Sequence, residues 1–440
     1  MLKMQRMIVL YNILFLIVII LGFPLILPLV LISDKRRKTV LQRLGMQKVV
    51  KAARQNRSCF LDKKPIWVHA LSVGEVLSAE PLVAGIINHF KNRKVFISVS
   101  TKTGFEIANK RFKDTADAVF FYPYDLALSV KHMTGKIDPA FVVIVESDIW
   151  PNFLYEMKKR NVPVVLVNAR LSKRSFSGYK RLAVFSKPVF LSFAGICTQS
   201  RKDAERFRAL GIPSGRINVT GNIKFEQTGQ SLPAPEIKKL RRSIHIQPSQ
   251  KVILAGSTHK GEEAILSEVF LRMKKEFSEL LLIVAPRDPG RAGSVQRIFE
   301  SAGFYTVLMK DLNKVKPDII LDVIVVDALG VLKKLYALAD VAFVGGSLVA
   351  CGGHNPLEPA VFCKPIIFGY DMSDFAEISN MLVAAGGAFR VQDAESLYKT
   401  VSKLLRDQQK AQEIGKKAFK VFNDNKGAVD KTLKVIEEIL

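Results

Sequence analysis

Short runs of β-branched and aliphatic residues recur along the chain and alternate with longer amphipathic stretches. Continuous apolar runs are typical of strands covered on both faces, and amphipathic stretches between them are typical of the covering helices. The alternation therefore predicts an α/β fold with two Rossmann-like, doubly wound domains. The predicted strands are residues 66–70, 95–99, 141–145, 164–167, 251–255, 280–284, 323–326, 341–344 and 365–368.

The stretch 227–250, QTGQSLPAPEIKKLRRSIHIQPSQ, is polar and contains prolines, and it shows little strand or core character. We therefore predict a linker there. The expected organisation is an N-terminal segment at 1–33, a first domain at 34–226, this linker, and a second domain at 251–440. Two such domains are expected to form a cleft between the carboxyl ends of their strands, where ligands of parallel sheets bind.

Residues 7–33 contain no charged side chain and have the length of a membrane-spanning helix, which predicts an N-terminal membrane anchor at 1–33. Gly22, Pro24 and Pro28 would kink such a helix, so a re-entrant or interfacial segment stays an alternative. A cleaved signal peptide is disfavoured, because its apolar region would be shorter and no small-residue cleavage site is visible. The basic flank that follows, which begins with residues 35–38, predicts that the body of the protein stays in the cytoplasm.

The formal net charge of +26 at pH 7 indicates an anionic partner, although a solvated basic surface is an alternative that can coexist with one. Nucleic acid is the obvious candidate, but no aromatic-interleaved basic stretch or nucleic-acid-binding motif accompanies the charge. Anionic membrane lipid next to an apolar segment explains the charge better. The 4 cysteines include no C-x-x-C pair, so neither a disulfide framework nor a zinc site is indicated.

The glycine-rich stretch 345–360, GGSLVACGGHNPLEPA, follows a predicted buried strand. Glycines there would let backbone N–H groups approach an anion, and a helix starting near Asn355 and Pro356 would present its N-terminal end to a phosphate. Glu358 would then accept hydrogen bonds from a ribose diol. A purely structural turn is the alternative for such a stretch in isolation.

Three further loops of the second half also follow predicted strands, at residues 256–259, 285–289 and 326–330. Arg287, in the second of them, is placed to hold a phosphate or to pair with an acidic neighbour. The agreement of four such loops favours a nucleotide site. No G-x-G-x-x-G or G-K-[ST] motif is present, which disfavours dinucleotide oxidoreductases and P-loop enzymes.

The first half carries two carboxylates at strand ends and a lysine near the predicted linker. Glu75 begins an amphipathic helix in WVHALSVGEV, and Glu146 ends an apolar strand in VIVESDIWPNF. Both are expected to face the cleft, although an acidic residue that favours the helix dipole is the simpler explanation for Glu75 alone. Lys224, in TGNIKFE, is expected near the crevice or on the surface. The basic stretch 170–181 is either an exposed face or a wall that receives an anionic acceptor.

Several motifs occur in a fixed order behind the apolar segment: IWVHALSVGE, VESDIWPN, NARLSKRS, GNIKF, AGSTHKGEE, a proline-arginine turn and GGSLVACGGHNPLEP. Together they resemble the Kdo transferases of lipopolysaccharide assembly, over essentially the whole chain. These enzymes move 3-deoxy-D-manno-octulosonic acid (Kdo) from CMP-Kdo to the lipid A precursor. The resemblance implies a glycosyltransferase-B fold and an inverting reaction at the cytoplasmic face of the inner membrane, without metal or cofactor.

By motif match, Glu75 resembles the general base of this family, and Glu146 and Lys224 resemble its transition-state-stabilising residues. Asp288 stands where the family usually has His, and Val331 stands where it usually has Glu. Backbone contacts are therefore the ones expected at Val331. The positions that resemble the CMP-binding loops of the family are Pro286, Arg287, Leu329, Gly330, Val331, Asn355, Pro356, Leu357 and Glu358.

Three other functions stay open on the residues alone. A membrane-associated glycosyltransferase with a different nucleotide-sugar donor would share the architecture and would differ in nucleotide preference. A non-catalytic lipid-binding protein would bind no nucleotide. A nucleic-acid-binding protein would show affinity for DNA or RNA that falls steeply with salt concentration.

Overall fold

The computed structural model of the chain describes residues 2–32, 34–47, 63–146, 148–226, 232–316 and 319–440. These residues form two compact units, each with one parallel sheet of seven strands. Unit 1 comprises Met1–Gln227 and Lys426–Leu440, and unit 2 comprises Thr228–Asn425. The predicted α/β class with two doubly wound sheets is confirmed.

Unit 1 begins with two helices and continues as alternating strands and helices. Its helices are α1 (Leu2–Leu31), α2 (Asp34–Leu41), α3 (Val73–His89), α4 (Lys102–Phe112), α5 (Ala127–Ile137), α6 (Pro151–Lys159), α7 (Lys173–Arg181), α8 (Ala183–Phe190) and α9 (Arg201–Ala209). Its strands are β1 (Ile66–His69), β2 (Val95–Val99), β3 (Ala118–Phe121), β4 (Phe141–Val145), β5 (Val164–Ala169), β6 (Gly195–Thr198) and β7 (Ile217–Val219).

The sheet of unit 1 has the order β3-β2-β1-β4-β5-β6-β7. Its strands are mainly apolar because helices cover both faces, and successive side chains enter opposite core layers. On β1, Trp67 packs with Phe120 and Phe153 in one layer, while Ile66 and Val68 belong to the other. The core of unit 1 is therefore two apolar layers on either side of one sheet.

Unit 2 repeats the architecture. Its strands are β8 (Lys251–Thr258), β9 (Leu280–Pro286), β10 (Thr306–Leu308), β11 (Val323–Val325), β12 (Val341–Val344), β13 (Ile366–Phe368) and β14 (Ala388–Arg390), in the order β10-β11-β9-β8-β12-β13-β14. Its helices are α10 (Ala234–Ser243), α11 (Glu262–Lys274), α12 (Ala292–Ser301), α13 (Leu332–Leu335), α14 (Leu357–Ala360), α15 (Ala376–Ala384), α16 (Ala394–Arg406) and α17 (Gln408–Asp424).

The predicted linker at 227–250 is wrong over most of its length. Pro233 and Pro235 open α10, in agreement with the preference for proline at the start of a helix. Ile244 and Ile246 are buried in the core of unit 2, and Leu240 packs against the same cluster. Most polar residues of α10 lie on its exposed face, whereas Gln250, after the helix, is buried. Residues 227–231 lie outside the described residues.

The predicted end of the second domain at residue 440 is also wrong. The last helix, α18 (Ala428–Ile439), packs on α3 of unit 1 and buries Leu433 and Ile436 there. Glu226 accepts hydrogen bonds from the first N–H groups of α18, at Gly427 (2.5 Å) and Ala428 (3.1 Å). The chain therefore returns to unit 1 because α3 offers an apolar face and Glu226 a helix cap.

The N-terminal segment is a single helix that continues through Pro24 and Pro28. Among the described residues, its span Met4–Pro24 is long and apolar enough to cross a membrane, judged by length and composition. Its first turns pack on unit 1, whereas most of its later residues are exposed.

Candidate active site

The strand order of unit 1 reverses between β1 and β4, because β2 and β3 lie on one side of β1 and the later strands on the other. Open parallel sheets bind ligands at such a reversal, outside the carboxyl ends of the strands. Glu75 lies on the connection that follows β1, and Glu146 directly follows β4. The structure therefore places two of the predicted catalytic residues at the reversal point of one sheet.

Glu75 lies in the first turn of α3 and is partly buried. Its Oε2 accepts a hydrogen bond from the N–H of Leu71 at 2.5 Å. Burial, and then the nearby charge of Glu146, raises the pKa of Glu75 to about 8, although hydrogen bonds from Leu71 and Ser72 oppose the rise. A carboxylate stabilised mainly by the helix dipole would have a lowered pKa. Glu75 instead has the pKa of a group that exchanges a proton near neutrality.

Glu146 and Lys224 form an ion pair at the carboxyl ends of the strands of this sheet. Lys224 Nζ lies 3.6 Å from Glu146 Oε1, and the two side chains are 19% and 22% exposed. Glu146 has a left-handed backbone conformation, with φ of 65°, and its N–H donates to the carbonyl of Val167 at 2.8 Å. A left-handed residue other than glycine is uncommon and directs the chain sharply out of the strand. Lys224 is therefore mostly buried beside a carboxylate.

Side-chain amides from three strand ends hold the turn that carries Lys224. Asn222 Oδ1 accepts from the N–H of Lys224 at 2.9 Å, and Asn168 Oδ1 accepts from the N–H of Ile223 at 3.1 Å. Gln199 connects them, because its Nε2 donates to the carbonyl of Asn168 and its Oε1 accepts from Asn222 Nδ2. The position of Lys224 is thus fixed by β5, β6 and β7 together.

A buried histidine-aspartate pair lies at the same reversal, and the sequence alone did not indicate it. His69, at the end of β1, is fully buried, and its Nε2 lies 2.6 Å from Asp148 Oδ2. Its Nδ1 lies 2.9 Å from Ser98 Oγ, and its ring stacks on Tyr122 at 3.9 Å between centroids. Asp148 also contributes to the raised pKa of Glu75. The sequence offered one indication of this pair: both residues lie in the motifs that contain Glu75 and Glu146.

The basic stretch around α7 is an exposed face. The helix buries none of its residues, and Ser172 caps its first turn by accepting from the N–H of Ser175 at 3.0 Å. The structure therefore agrees with either of the two interpretations of this stretch.

The sheet of unit 2 reverses its strand order between β8 and β12. The glycine-rich stretch 345–360 follows β12, and the stretch 259–261 follows β8. Both loops therefore lie at the reversal point of the second sheet, where a ligand is expected. Pro286 ends β9, the neighbour of β8, and the N–H of Arg287 donates to the carbonyl of Thr258 at 3.0 Å.

The backbone of the glycine-rich loop is occupied by a carboxylate of the protein itself. Glu262 is fully buried and accepts hydrogen bonds from the N–H groups of Gly346 (2.7 Å), Ser347 (2.9 Å) and Leu348 (2.9 Å), and from that of His259 (2.9 Å). The expectation that these N–H groups approach a phosphate is therefore wrong for the three residues of the loop. The anion that they bind is Glu262.

Two glycines of this loop allow the backbone to pack closely. A Cβ at Gly345 would lie 2.5 Å from the carbonyl oxygen of Ser257, and Gly346 has φ of 70°. A larger residue would therefore clash with the end of β8 at Gly345 or be strained at Gly346. The glycines bring two backbone segments together around Glu262.

The helix expected near Asn355 and Pro356 is a single turn, α14. This short helix begins where the sequence predicted, directly after Pro356. In its first turn the N–H of Leu357 donates to Asn355 Oδ1 at 3.0 Å, so Asn355 caps the turn. Pro356 and Leu357 are buried, and Glu358 is only partly exposed.

Arg287, His354 and Glu358 interact electrostatically and so form one group. Burial, followed by the charges of Arg287 and His259, lowers the pKa of His354 to about 4. Burial raises the pKa of Glu358, and the cations Lys333 and Arg287 oppose that rise. His354 Nε2 also lies 2.8 Å from His259 Nε2. The structure therefore brings Arg287 together with the loop that contains Asn355 and Glu358.

Leu329, Gly330 and Val331 form the turn before α13. Leu329 is 71% exposed, and Gly330 has φ of 86°. Val331 immediately precedes α13 and packs against the core of unit 2. Gly330 and Leu329 are thus the accessible part of this predicted binding loop.

Comparison with known proteins identifies the family. The family described as 3-deoxy-D-manno-octulosonic-acid transferase (kdotransferase) matches residues 38–227. A 3-deoxy-D-manno-octulosonic acid transferase from Haemophilus influenzae is 31% identical over 411 residues, which cover 93% of each chain. The chain belongs to the Kdo transferase family. A Kdo transferase from Rickettsia typhi is 30% identical over 379 residues, which cover 85% of this chain and 79% of that protein.

Solved structures place this Kdo transferase among glycosyltransferase-B-type folds. The UDP-GlcNAc 2-epimerase from Neisseria meningitidis superposes with a TM-score of 0.56 at 15% identity, over 84% of this chain and 100% of that chain. A glycosyltransferase from Rickettsia africae superposes with a TM-score of 0.53 at 14% identity, over 86% and 99% of the two chains. At such identities the similarity concerns the fold.

The two departures of this Kdo transferase from the family pattern have local structural roles. Asp288 caps the turn Pro289–Arg291, because its Oδ1 accepts from the N–H of Gly290 at 2.9 Å. Val331 contributes an apolar side chain to the core. Among the residues that the structure describes, no group of three or more His, Cys, Asp or Glu is arranged to hold a metal ion.

Proposed function

We propose that this Kdo transferase moves Kdo from CMP-Kdo to the lipid A precursor, lipid IVA, with inversion and with Glu75 as the general base. The observation that carries the proposal is the environment of Glu75. It is a partly buried carboxyl group at the reversal point of the unit 1 sheet. Its pKa is about 8, raised by burial and by the charges of Glu146 and Asp148. Membership of the Kdo transferase family supports the type of sugar that is transferred.

The proposed reaction assigns one task to each of the three residues. A hydroxyl oxygen of the acceptor attacks the anomeric carbon of Kdo, and Glu75 takes the proton of that hydroxyl. The bond from the anomeric carbon to the phosphate oxygen breaks, and CMP leaves with the electron pair. Glu146 and Lys224, whose side chains form an ion pair at 3.6 Å, stabilise the charges that develop in the transition state.

Buried polar atoms at the same edge of unit 1 suit a polar acceptor. Among the described residues, Ser100 Oγ, Trp150 Nε1 and Asn168 Nδ2 are buried and have no hydrogen-bond partner within the protein. Ser100 directly follows β2, Trp150 lies on the connection from β4 to α6, and Asn168 lies near the carboxyl end of β5. Buried polar groups are usually satisfied, so these atoms are available to hydroxyl groups of a sugar.

The donor is proposed to bind unit 2, at the nine positions that resemble the CMP-binding loops. Glu262 already occupies three N–H groups of the glycine-rich loop, so most of the positive charge for the phosphate must come from side chains. Arg287 is the proposed phosphate ligand, and Glu358 is the proposed ribose ligand. Asn355 links them through the turn that it caps.

Arg287→Ala is expected to weaken CMP binding by about one to two orders of magnitude, because a hydrogen bond to a charged group contributes roughly 1.5–3 kcal/mol. Isothermal titration calorimetry with CMP measures the affinity, and thermal melting checks the fold. Arg297→Ala is the matched control, because Arg297 is an exposed arginine of α12. Equal CMP affinities in the two variants would remove Arg287 from the donor site.

The whole proposal is tested by incubating the full chain with CMP-Kdo and tetraacylated lipid A precursor, followed by mass spectrometry of the lipid. Kdo-modified lipid is the expected product. Parallel reactions with UDP-sugars test the alternative of a different donor. Product from a UDP-sugar, with none from CMP-Kdo, would overturn the assignment of the donor.

The proposed location is the cytoplasmic face of the inner membrane. The helix α1 supplies an apolar surface, and the net charge of +26 supplies attraction to anionic lipid. Lipid rather than nucleic acid is thus the proposed macromolecular partner.

A further inference from the structure

The first turns of α1 are part of the core of unit 1. Met4, Met7 and Ile8 are buried there, with exposures of 4%, 8% and 6%. One turn later, the side-chain amides of Asn12 and Asn152 exchange two hydrogen bonds, at 2.9 and 2.8 Å. The beginning of α1 is therefore fastened to unit 1 by apolar packing and by a reciprocal amide pair.

The chain is fastened to the same unit again shortly after α1 ends. Arg43 donates from Nε to the carbonyl of Tyr122 at 3.0 Å and from Nη1 to that of Ser100 at 3.3 Å. Gln47 is buried, accepts from the N–H of Phe121 at 3.0 Å, and donates to the carbonyl of Phe121 at 2.6 Å. Both flanks of the apolar helix therefore bind the body of unit 1.

This double attachment is incompatible with a helix that crosses a bilayer. A crossing helix separates its two flanks by a hydrocarbon core of about 30 Å. Residues 32–42, which return from the far end of α1 to Arg43, are mostly helical and span about 17 Å at 1.5 Å per residue. They also contain the charged run at 34–38, which cannot lie in the hydrocarbon core. Both ends of α1 must therefore stay on the side of the membrane where unit 1 lies.

The surface of α1 between these attachments is nevertheless strongly apolar. Leu16, Val18, Ile20 and Leu21 are 56% to 73% exposed. The apolar surface continues on the globular body, because α8 packs against α1 and the residues at its start are exposed, with Val184 at 82%. Exposed apolar surface of this extent marks an interaction site.

We propose that α1 is a one-leaflet anchor: it lies within the leaflet next to unit 1, together with the exposed start of α8, and does not span the bilayer. The partner is a lipid monolayer with anionic headgroups, because charged residues flank the apolar surface at both ends, at Arg6 and at 34–38. The inference rests on the proposed membrane location, and it decides between the two interpretations of the apolar segment that the sequence left open.

The side on which the residues before α1 lie tests this inference. The full chain carries an epitope tag and a protease site before Met1, and is produced in a Gram-negative bacterial host. Protease added to inverted inner-membrane vesicles is expected to remove the tag, and protease added to spheroplasts is expected to leave it. A matched chain with the same tag after Leu440, which belongs to unit 1, is expected to behave identically. Removal of the N-terminal tag in spheroplasts, alone or in both preparations, would overturn the one-leaflet anchor.

The lipid partner is tested on the same full chain with liposomes. Val184→Asp is expected to weaken binding to liposomes that contain anionic phospholipid by several-fold, whereas Leu271→Asp, at an exposed leucine of α11 in unit 2, is expected to leave it unchanged. Equal binding by the two variants would overturn the assignment to lipid. A dimer in sedimentation experiments that Val184→Asp dissociates would also overturn it, because a second copy of the chain would then cover the apolar surface. Kdo transfer is measured separately, so a failed anchor and a failed enzymatic assignment remain distinguishable.

Discussion

Replacing Glu75 by Gln is expected to lower the turnover number by about 10²–10⁴-fold, the usual contribution of a general base. Gln keeps the size and hydrogen-bonding reach of Glu, so it still accepts from the N–H of Leu71, but it cannot take a proton from the acceptor. CMP affinity and melting temperature are expected to change little, because the proposed donor residues lie in unit 2. Single-turnover assays with Kdo transfer to lipid A precursor measure the effect.

Glu80→Gln provides the control for this substitution, because Glu80 lies on the same helix with a side chain that is 45% exposed. A Glu75 that only favours the helix dipole predicts a different pair of results. Stability would fall by about 1 kcal/mol or less, and activity per folded molecule would be kept. Near-normal turnover in Glu75→Gln would therefore transfer the role of base to another carboxylate of the cluster, such as Glu146 or Asp148.

The pKa of Glu75 predicts the direction of the pH dependence. The base is the ionised form, and a pKa of about 8 means that most molecules carry the protonated form at pH 7. The value of kcat/KM is therefore expected to rise about tenfold per pH unit up to pH ~8 and to level off above it. The residual activity of Glu75→Gln should lack this rise. A wild-type profile that is flat between about pH 6 and 8 would contradict the proposed environment of Glu75.

The fold was accessible from the sequence because strands buried on both faces have a distinctive composition. The predicted strands begin at the observed residue or one residue away from it, as at Ile66, Val341 and Ile366. The apolar strand β3 was missed. Of the other missed strands, β7, β10 and β14 are short, and the Gly195–Thr198 run contains few apolar residues. Composition alone cannot separate such segments from loops.

The boundaries between the units were less accessible, since they depend on packing between distant segments. α18 belongs to unit 1 because α3 lacks a Cβ at Gly85, where one would lie 2.9 Å from Val429 Cγ1. In the same way, α1 has the composition of a spanning helix, and contacts such as those of Asn12 and Arg43 are needed to show that both its flanks bind unit 1. A hydropathy pattern indicates that a helix lies in apolar surroundings, but it does not identify the segments that the helix contacts.

The candidate site likewise has residues that the sequence could indicate and contacts between distant residues that it could not. The positions of Glu75 and Glu146 follow from the rule that ligands bind at the carboxyl ends of parallel strands, so the sequence could indicate them. The partners of these residues come from far along the chain: His69 meets Asp148, and Glu262 meets Gly346. No local pattern encodes such pairs. They appear only when the sheet brings the loops together.

Glu262 is the partner whose loss is expected to have the largest structural effect, because it is the buried acceptor around which the glycine-rich loop folds. Its Oε1 accepts from Ser347 and Leu348, and its Oε2 accepts from Gly346 and His259. Glu262→Ala leaves these four donors without an acceptor, and each buried unsatisfied group costs about 1–3 kcal/mol. The total is a large fraction of the ~5–15 kcal/mol that stabilises a domain.

We therefore expect Glu262→Ala to lower the melting temperature by roughly 10 °C or more and to reduce CMP affinity at least ~100-fold. Glu262→Gln retains one carboxylate-like oxygen and presents an amide donor to the other pair of N–H groups, so an intermediate loss is expected for both quantities. Glu268→Ala, at an exposed glutamate of the same helix, should change neither. Differential scanning fluorimetry and calorimetric titration with CMP measure the two quantities on one preparation. If Glu262→Ala binds CMP as the wild type does, the loop at 345–348 does not shape the donor site, and its glycines serve only the packing of unit 2.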